Sequence, residues 1–230
     1  NGSHIKMKLS KNKKKQIEGI NFEKTYTIEE SLKIIKDTKF VKFDESVDIA
    51  LNTTIDTKQS DQNVRGSFVP PHGLGKKVEI AVFASGKNAE EATALGVKHV
   101  GGEDLVSILE KNIDVDVIIA TPDMMSVVSK IAKILGPKGM MPNPKTGTVT
   151  NDVKTTITNI NKGLVAYKND KAGTIHASIG RISFNNAKLS ENITGFVEEV
   201  KKNKPTNVKG NYVNTVYISS SMGVGIKVSV

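Results

Sequence analysis

Val78-Glu79-Ile80-Ala81-Val82-Phe83 is a strand-sized apolar run. Ala84-Ser85-Gly86 ends it, and residues 88–95 then read as a helix. The same cycle runs twice more. Residues 97–100 form a short strand stopped by Gly101-Gly102, and residues 103–111 form a helix with acidic residues in its first turn, where the helix dipole favours them. Residues 115–120 are again strand-like. Thr121-Pro122-Asp123 then starts a helix with proline at its tolerated first position, running to about residue 135. This βαβαβα order predicts a parallel sheet covered by helices, a Rossmann-like domain.

Outward from this centre the pattern changes. Downstream lies a loop dense in glycine and proline, Leu135-Gly136-Pro137-Lys138-Gly139-Met140-Met141-Pro142-Asn143-Pro144-Lys145. Its plain role is a stiff connector, and Met140-Met141 reads as core or hinge packing before it reads as a soft partner contact. A helix is expected over 152–162, strands over 164–168, 173–184 and 212–221, and a long helix over 189–203. Upstream, residues 8–19 read as a basic helical arm. Thr27-Ile28-Glu29-Glu30 is a capping box opening a helix with Ile28, Leu32 and Ile35 on one face. Residues 43–55 alternate, with Val47, Ile49 and Leu51 on one side, the period of a half-buried strand. Strands that hairpin and return through a helix make a mixed α+β domain. Residues 1–6 read as an expression scar before Met7.

The chain has 230 residues, 37% hydrophobic and 25% charged, the composition of an ordinary soluble globular protein. No apolar run approaches a membrane span, and no secretory signal opens the chain. The absence of cysteine excludes disulfides and cysteine-based metal sites, and fits a reducing cytosol. The formal net charge of +9 suggests a polyanionic partner, although a solvated lysine surface would give the same number. Its distribution says more. Residues 67–160 carry ten Lys/Arg and ten Asp/Glu, residues 1–66 thirteen against ten, and residues 161–230 ten against four. The excess lies in the two chain ends, as it would if they packed together into one basic domain.

A Rossmann-like centre raises the question of a nucleotide site. Ala84-Ser85-Gly86-Lys87-Asn88 has a single glycine where a dinucleotide fold needs several. Gly73-Leu74-Gly75-Lys76-Lys77 is basic and glycine-rich, but it precedes a strand whereas a P-loop follows one. His72, His99 and His176 are far apart in sequence, without metal-ligand spacing. Nothing resembles a nucleophile elbow. No catalytic residue, metal ligand or cofactor is therefore assigned, and the chain is read as no enzyme.

Several longer motifs point further. Ser60-Asp61-Gln62-Asn63-Val64-Arg65-Gly66, Pro71-His72-Gly73-Leu74-Gly75-Lys76, Val100-Gly101-Gly102-Glu103, Ala120-Thr121-Pro122-Asp123, residues 135–148, Lys168-Asn169-Asp170-Lys171-Ala172-Gly173, Ile175-His176 and Ser219-Ser220-Ser221-Met222-Gly223 occur in this order. Together they resemble the ribosomal protein one family of the large subunit, in its bacterial form, over residues 7–230. The resemblance implies a discontinuous RNA-binding domain of residues 7–68 and 160–230, a Rossmann-like insertion of residues 69–159, and a hinge at Val69, Pro70, Pro71 and Asn159. It implies binding to the stalk helices of large-subunit ribosomal RNA beside other ribosomal components, help in releasing exit-site transfer RNA, and repression of its own operon through messenger RNA. It also implies a cytoplasmic location away from membranes, and a monomer when free.

The RNA surface implied by the resemblance comprises Phe43, Glu45, His176, Ser219, Ser221, Met222 and Gly223, with Lys42, Arg65, Lys168 and Lys171 as phosphate contacts. The chemistry is apt. RNA helices show 2′-hydroxyls and sugar edges in a wide, shallow groove, where a hydroxyl can exchange hydrogen bonds, a methionine can pack on a sugar and a glycine removes a steric block. Three departures from the family pattern stand out. Serines replace threonines before Met222-Gly223, at a cost of about 0.5–1 kcal/mol of apolar contact. Val224 stands where proline is common, which loosens the turn, and Pro70-Pro71 replaces Leu-Pro at the hinge. Two rivals remain open on sequence: an enzyme built on the Rossmann-like domain, and a non-specific basic nucleic-acid binder.

Overall fold

The computed structural model describes residues 11–18, 20–111, 115–208 and 210–229. The expected scar lies outside them. The chain divides into two compact units. One takes in both ends, up to Val64 and from Asn169 onward; the other is Arg65–Lys168. In chain order come α1 (Lys11–Ile17), α2 (Ile28–Asp37), β1 (Ser46–Thr53), β2 (Arg65–Phe68), β3 (Ile80–Phe83), α3 (Lys87–Ala94), β4 (His99–Gly101), α4 (Glu103–Lys111) and β5 (Val117–Ala120). Then follow α5 (Met125–Lys130), α6 (Ala132–Lys138), α7 (Val153–Asn161), β6 (Val165–Lys168), β7 (Thr174–Arg181), α8 (Asn186–Lys202), β8 (Val213–Ser220) and β9 (Ile226–Val228).

The unit made from the chain ends is built on an antiparallel sheet in the order β7-β1-β8-β9. Burial alternates along β1, with Val47, Ile49, Leu51 and Thr53 inside and Ser46, Asp48, Ala50 and Asn52 on the other face. The inner face meets α2 and α8, which bury Leu32 and Ile35, and Leu189, Ile193, Phe196, Val197 and Val200. Each such side chain contributes about 1.5–3 kcal/mol through removal from water. The capping box of α2 forms in both directions: Thr27 N–H donates to Glu30 (3.0 Å) and Glu30 N–H to the Thr27 hydroxyl (3.2 Å). Asn192, buried in α8, donates its amide to the Ile179 carbonyl of β7 (3.0 Å), which ties the helix to the sheet.

The other unit holds the parallel sheet β4-β3-β5. All four residues of β3 are buried, because both faces are covered. Ile80 and Val82 pack with Ala92 of α3 and with Val153, Ile157 and Ile160 of α7. Ala81 and Phe83 pack with Leu105 of α4, Val128 of α5 and Leu135 of α6. An antiparallel ribbon, β2–β6, pairs Arg65 with Lys168 and Phe68 with Val165. Tyr167 is buried in it against Gly66, where a Cβ would lie 2.6 Å from the phenolic oxygen.

The structure differs from the sequence expectation at four places. The helix expected from residue 121 to about 135 is a 3-10 turn, Pro122–Met124, followed by α5 and α6, which are separated by a tight turn at Ile131. The expected loop begins later, because α6 continues through Pro137 until Gly139, in a left-handed conformation, ends it. Asn159, expected in a connecting strand, lies inside α7. The units divide at Val64/Arg65 and Lys168/Asn169, so the β2–β6 ribbon goes with the insertion. That shift brings Arg65, Lys162 and Lys168 into the inserted unit, which then carries thirteen Lys/Arg against ten Asp/Glu and is basic.

Candidate nucleic-acid interface

Among the described residues no helix packs on one face of the antiparallel sheet, and its period-2 alternation decides what stands there. Ala50 of β1 pairs with His176 of β7 on one side and Tyr217 of β8 on the other, and Tyr217 pairs with Lys227 of β9. In the next row Asp48 lies between Ser178 and Ser219. Asn52 pairs with Thr174 and Thr215. The outer face therefore carries hydroxyls, an amide, an aromatic ring, an imidazole, one carboxylate and one lysine. Of these the sequence reading chose His176 and Ser219. It missed Tyr217, Thr215, Asn52 and Lys227, although alternate positions counted back from Ser219 lead directly to Tyr217 and Thr215.

At the end of β8 the chain turns, and Glu45 holds that turn. Its Oε1 accepts from the Ser220 hydroxyl (3.2 Å) and from Met222 N–H (2.9 Å). Ser221 and Ser46 exchange two bonds: Ser221 N–H donates to the Ser46 carbonyl (3.1 Å), and Ser46 N–H donates to Ser221 Oγ (3.1 Å). The Ser221 hydroxyl proton remains to donate outward. Gly223 N–H donates to the Ser220 carbonyl (3.1 Å), and a Cβ at Gly223 would overlap Ser220 Oγ, so a larger residue would push the Ser220 hydroxyl from its place. Glu45 is only 1% exposed. It was expected among the RNA contacts, but its observed place is beneath the surface, where it sets the turn.

The segment before β1 is fixed as well. The Asp44 carboxylate accepts from Ser183 N–H (3.2 Å) and the Ser183 hydroxyl (2.8 Å), and Arg181 donates to the Asp44 carbonyl (3.0 Å). Just before the anchored Asp44, Phe43 is 54% exposed, and Met222 on the 220–223 turn is 51% exposed. Lys42 is exposed beside Phe43. Two large apolar side chains are thus displayed to solvent, Met222 on a backbone N–H bonded to Glu45 and Phe43 next to the anchored Asp44.

Beside the sheet, the 169–174 loop is organised by Asp170. Its carboxylate accepts from Ala172 N–H (2.9 Å) and Thr174 N–H (2.8 Å), and lies 3.6 Å from His176 Nε2. The Thr174 backbone bond, with smaller help from Ala172 and His176, holds the Asp170 carboxyl below its ordinary pKa. Lys171 is exposed on this loop, and its carbonyl accepts from the Thr57 hydroxyl (2.7 Å). Arg65 and Lys168 are cross-strand neighbours on the ribbon of the other unit, so the expected residue set divides: nine of its eleven members belong to the chain-end unit and these two do not. Among the described residues, no three His, Asp or Glu side chains gather as a metal site, and no helix is long and apolar enough to cross a membrane.

The family model for the ribosomal protein L1p/L10e family matches residues 34–224. The chain belongs to the ribosomal protein L1 family. It is 46% identical over 222 residues to the large ribosomal subunit protein uL1 of Coxiella burnetii (strain RSA 331), with 96% of each chain covered. It is 46% identical to that of Streptococcus gordonii over 224 residues, covering 97% of this chain and 98% of the relative. The uL1 protein of Thermosipho africanus is 46% identical over 211 residues, 91% of each chain. The family is one of structural RNA-binding proteins and not of enzymes, and this chain is of its bacterial type.

Proposed function

We propose that this chain is a structural protein of the large ribosomal subunit in the cytoplasm, and that it docks on the stalk helices of the ribosomal RNA through the chain-end unit. The observation that carries this reading is the pair Phe43 and Met222, two half-exposed apolar side chains next to the hydrogen-bonded residues Asp44 and Glu45, beside a hydroxyl-bearing open sheet face. Such a surface suits a shallow RNA groove: apolar atoms pack on sugars, and Ser219, Ser221 and Thr215 exchange hydrogen bonds with 2′-hydroxyls. Lys42, Lys171 and Lys227 add phosphate contacts that set affinity and its salt dependence. The same surface would take a messenger segment that mimics the stalk, which is how the chain would repress its own operon. Release of exit-site transfer RNA follows from its place on a mobile stalk.

The test is a salt titration of binding to the stalk fragment of the ribosomal RNA, beside a scrambled duplex of equal length. Recognition of shape keeps the stalk fragment at least about a hundredfold tighter as salt rises, roughly 2.7 kcal/mol. If both RNAs weaken together, the surface is a non-specific basic one and the proposal fails.

A further inference from the structure

The inserted unit carries a basic groove that the stalk-binding surface does not use. Residues 69–77 and 161–163 line a groove of about 750 Å3 with no acidic side chain among them. Its floor is a close backbone contact. A Cβ at Gly163 would lie 2.8 Å from Leu74 N, and one at Gly73 would lie 2.9 Å from the Lys162 carbonyl oxygen. Gly73 and Gly75 both have φ of +67°, which lets the 72–77 strap turn twice while pressed against the α7–β6 corner. The strap is held, and the cations on it have a fixed base.

The groove's basic residues are His72, Lys76 and Lys77 on the strap and Lys162 at the α7–β6 corner, all exposed. Lys76 is taken by Asp116 (2.7 Å). Among the described residues no ion pair involves Lys77 or Lys162, and the N–H groups of Gly75, Lys76 and Lys77 donate to no protein acceptor. Two ammonium groups and three consecutive N–H groups with no protein acceptor along one groove are the equipment for phosphate.

Position selects the kind of phosphate. Mononucleotide sites in open α/β sheets lie outside the carboxyl ends of the strands. This groove is on the opposite side, since the strap leads into the start of β3. It is also open and has no buried polar side chain to enclose a small ligand. A continuous phosphodiester backbone needs only a row of surface cations and donors. We propose that the groove binds the backbone of a second RNA segment, one other than the segment held by the chain-end unit. This inference rests on the RNA-binding reading above.

The experiment saturates the full chain with the stalk RNA fragment, then titrates a labelled RNA duplex of unrelated sequence in a salt series. Wild type is compared with the Lys77→Gln/Lys162→Gln double variant; both positions are exposed, so the fold should be kept. The expected result is duplex binding about five- to tenfold weaker in the variant, a salt slope smaller by about 2, one per lysine, and unchanged stalk affinity. Equal duplex binding by the two proteins would overturn the proposal. So would full displacement of the duplex by low inorganic phosphate, which would make this a small-anion site. Failure of the RNA-binding reading shows separately, in the saturation step, as loss of preference for the stalk fragment.

Discussion

The two sheets of this molecule are covered differently, and the difference decides where each unit can work. In the parallel sheet β4-β3-β5, helices cover both faces and β3 is buried along its length. No face is left, so any contact this unit makes must come from loops and edges. In the antiparallel sheet β7-β1-β8-β9, one face meets α2 and α8 and the other carries a patterned polar surface. The connections explain the contrast: parallel strands need crossover helices, which fall on the faces, whereas antiparallel strands can leave one face wet. The open face can then be evolved for recognition without disturbing the core behind it.

The strongest way to break this comparison is to remove the device that shapes the open-faced unit. Glu45→Ala deletes the acceptor of Ser220 and Met222 and leaves these donors unsatisfied beneath the surface. The expected cost is about 1–3 kcal/mol of stability, with loss of stalk RNA affinity because the 219–223 turn loses its form. Urea unfolding should show the loss in the chain-end unit, with the inserted unit's transition in place. Unchanged stability and unchanged RNA affinity together would mean that Glu45 does not set the turn.

How far the sequence reaches is clear from particular residues. The capping box at Thr27 and Glu30, the alternation in β1 and the βαβ repeat were legible because each is local. β9 was missed, since Ile226-Lys227-Val228 is too short for alternation to register and is a strand only through pairing with β8. Arg65 and Lys168 group with the insertion by their contacts, which sequence could not show: the identity of each was informative, but membership of a unit depends on contacts remote in sequence. Glu45 is the most instructive residue. A glutamate reads as exposed, and only the paired hydrogen bonds from residues about 175 positions away show why it is buried.

A finer probe separates display from support. Phe43→Ala and Met222→Ala remove side chains that are about half exposed. Each should leave the unfolding midpoint nearly unchanged, within about 0.5 kcal/mol. Each should weaken stalk RNA binding by about 1–2 kcal/mol, in the range of an aromatic or apolar contact with a nucleotide. Wild-type affinity in either variant takes that residue out of the interface. Loss of stability would move it from the recognition surface into the core, against the contrast drawn here.

The smallest expected effect has the most specific signature. Asp48 stands on the open face between Ser178 and Ser219. Partial burial raises its carboxyl above the ordinary value of 3.8, against the lowering effects of the Ser178 hydrogen bond and the Arg181 charge. A carboxyl with a raised folded-state pKa takes up protons more readily folded than unfolded, so its ionised form costs stability once pH exceeds the unfolded value. Asp48→Asn keeps an acceptor for Ser178 and removes that cost. The variant should match wild type below about pH 3.8, gain on it as pH rises through the folded pKa, and hold a small advantage, under about 0.5 kcal/mol, at neutral pH. It should also bind stalk RNA a few-fold more tightly, because a negative charge leaves a face that meets phosphates. Denaturant midpoints from pH 3 to 8, with RNA titrations at neutral pH, separate the two effects. Greater stability without tighter binding would place Asp48 outside the reach of RNA and narrow the interface to the 43–46 and 219–223 segments.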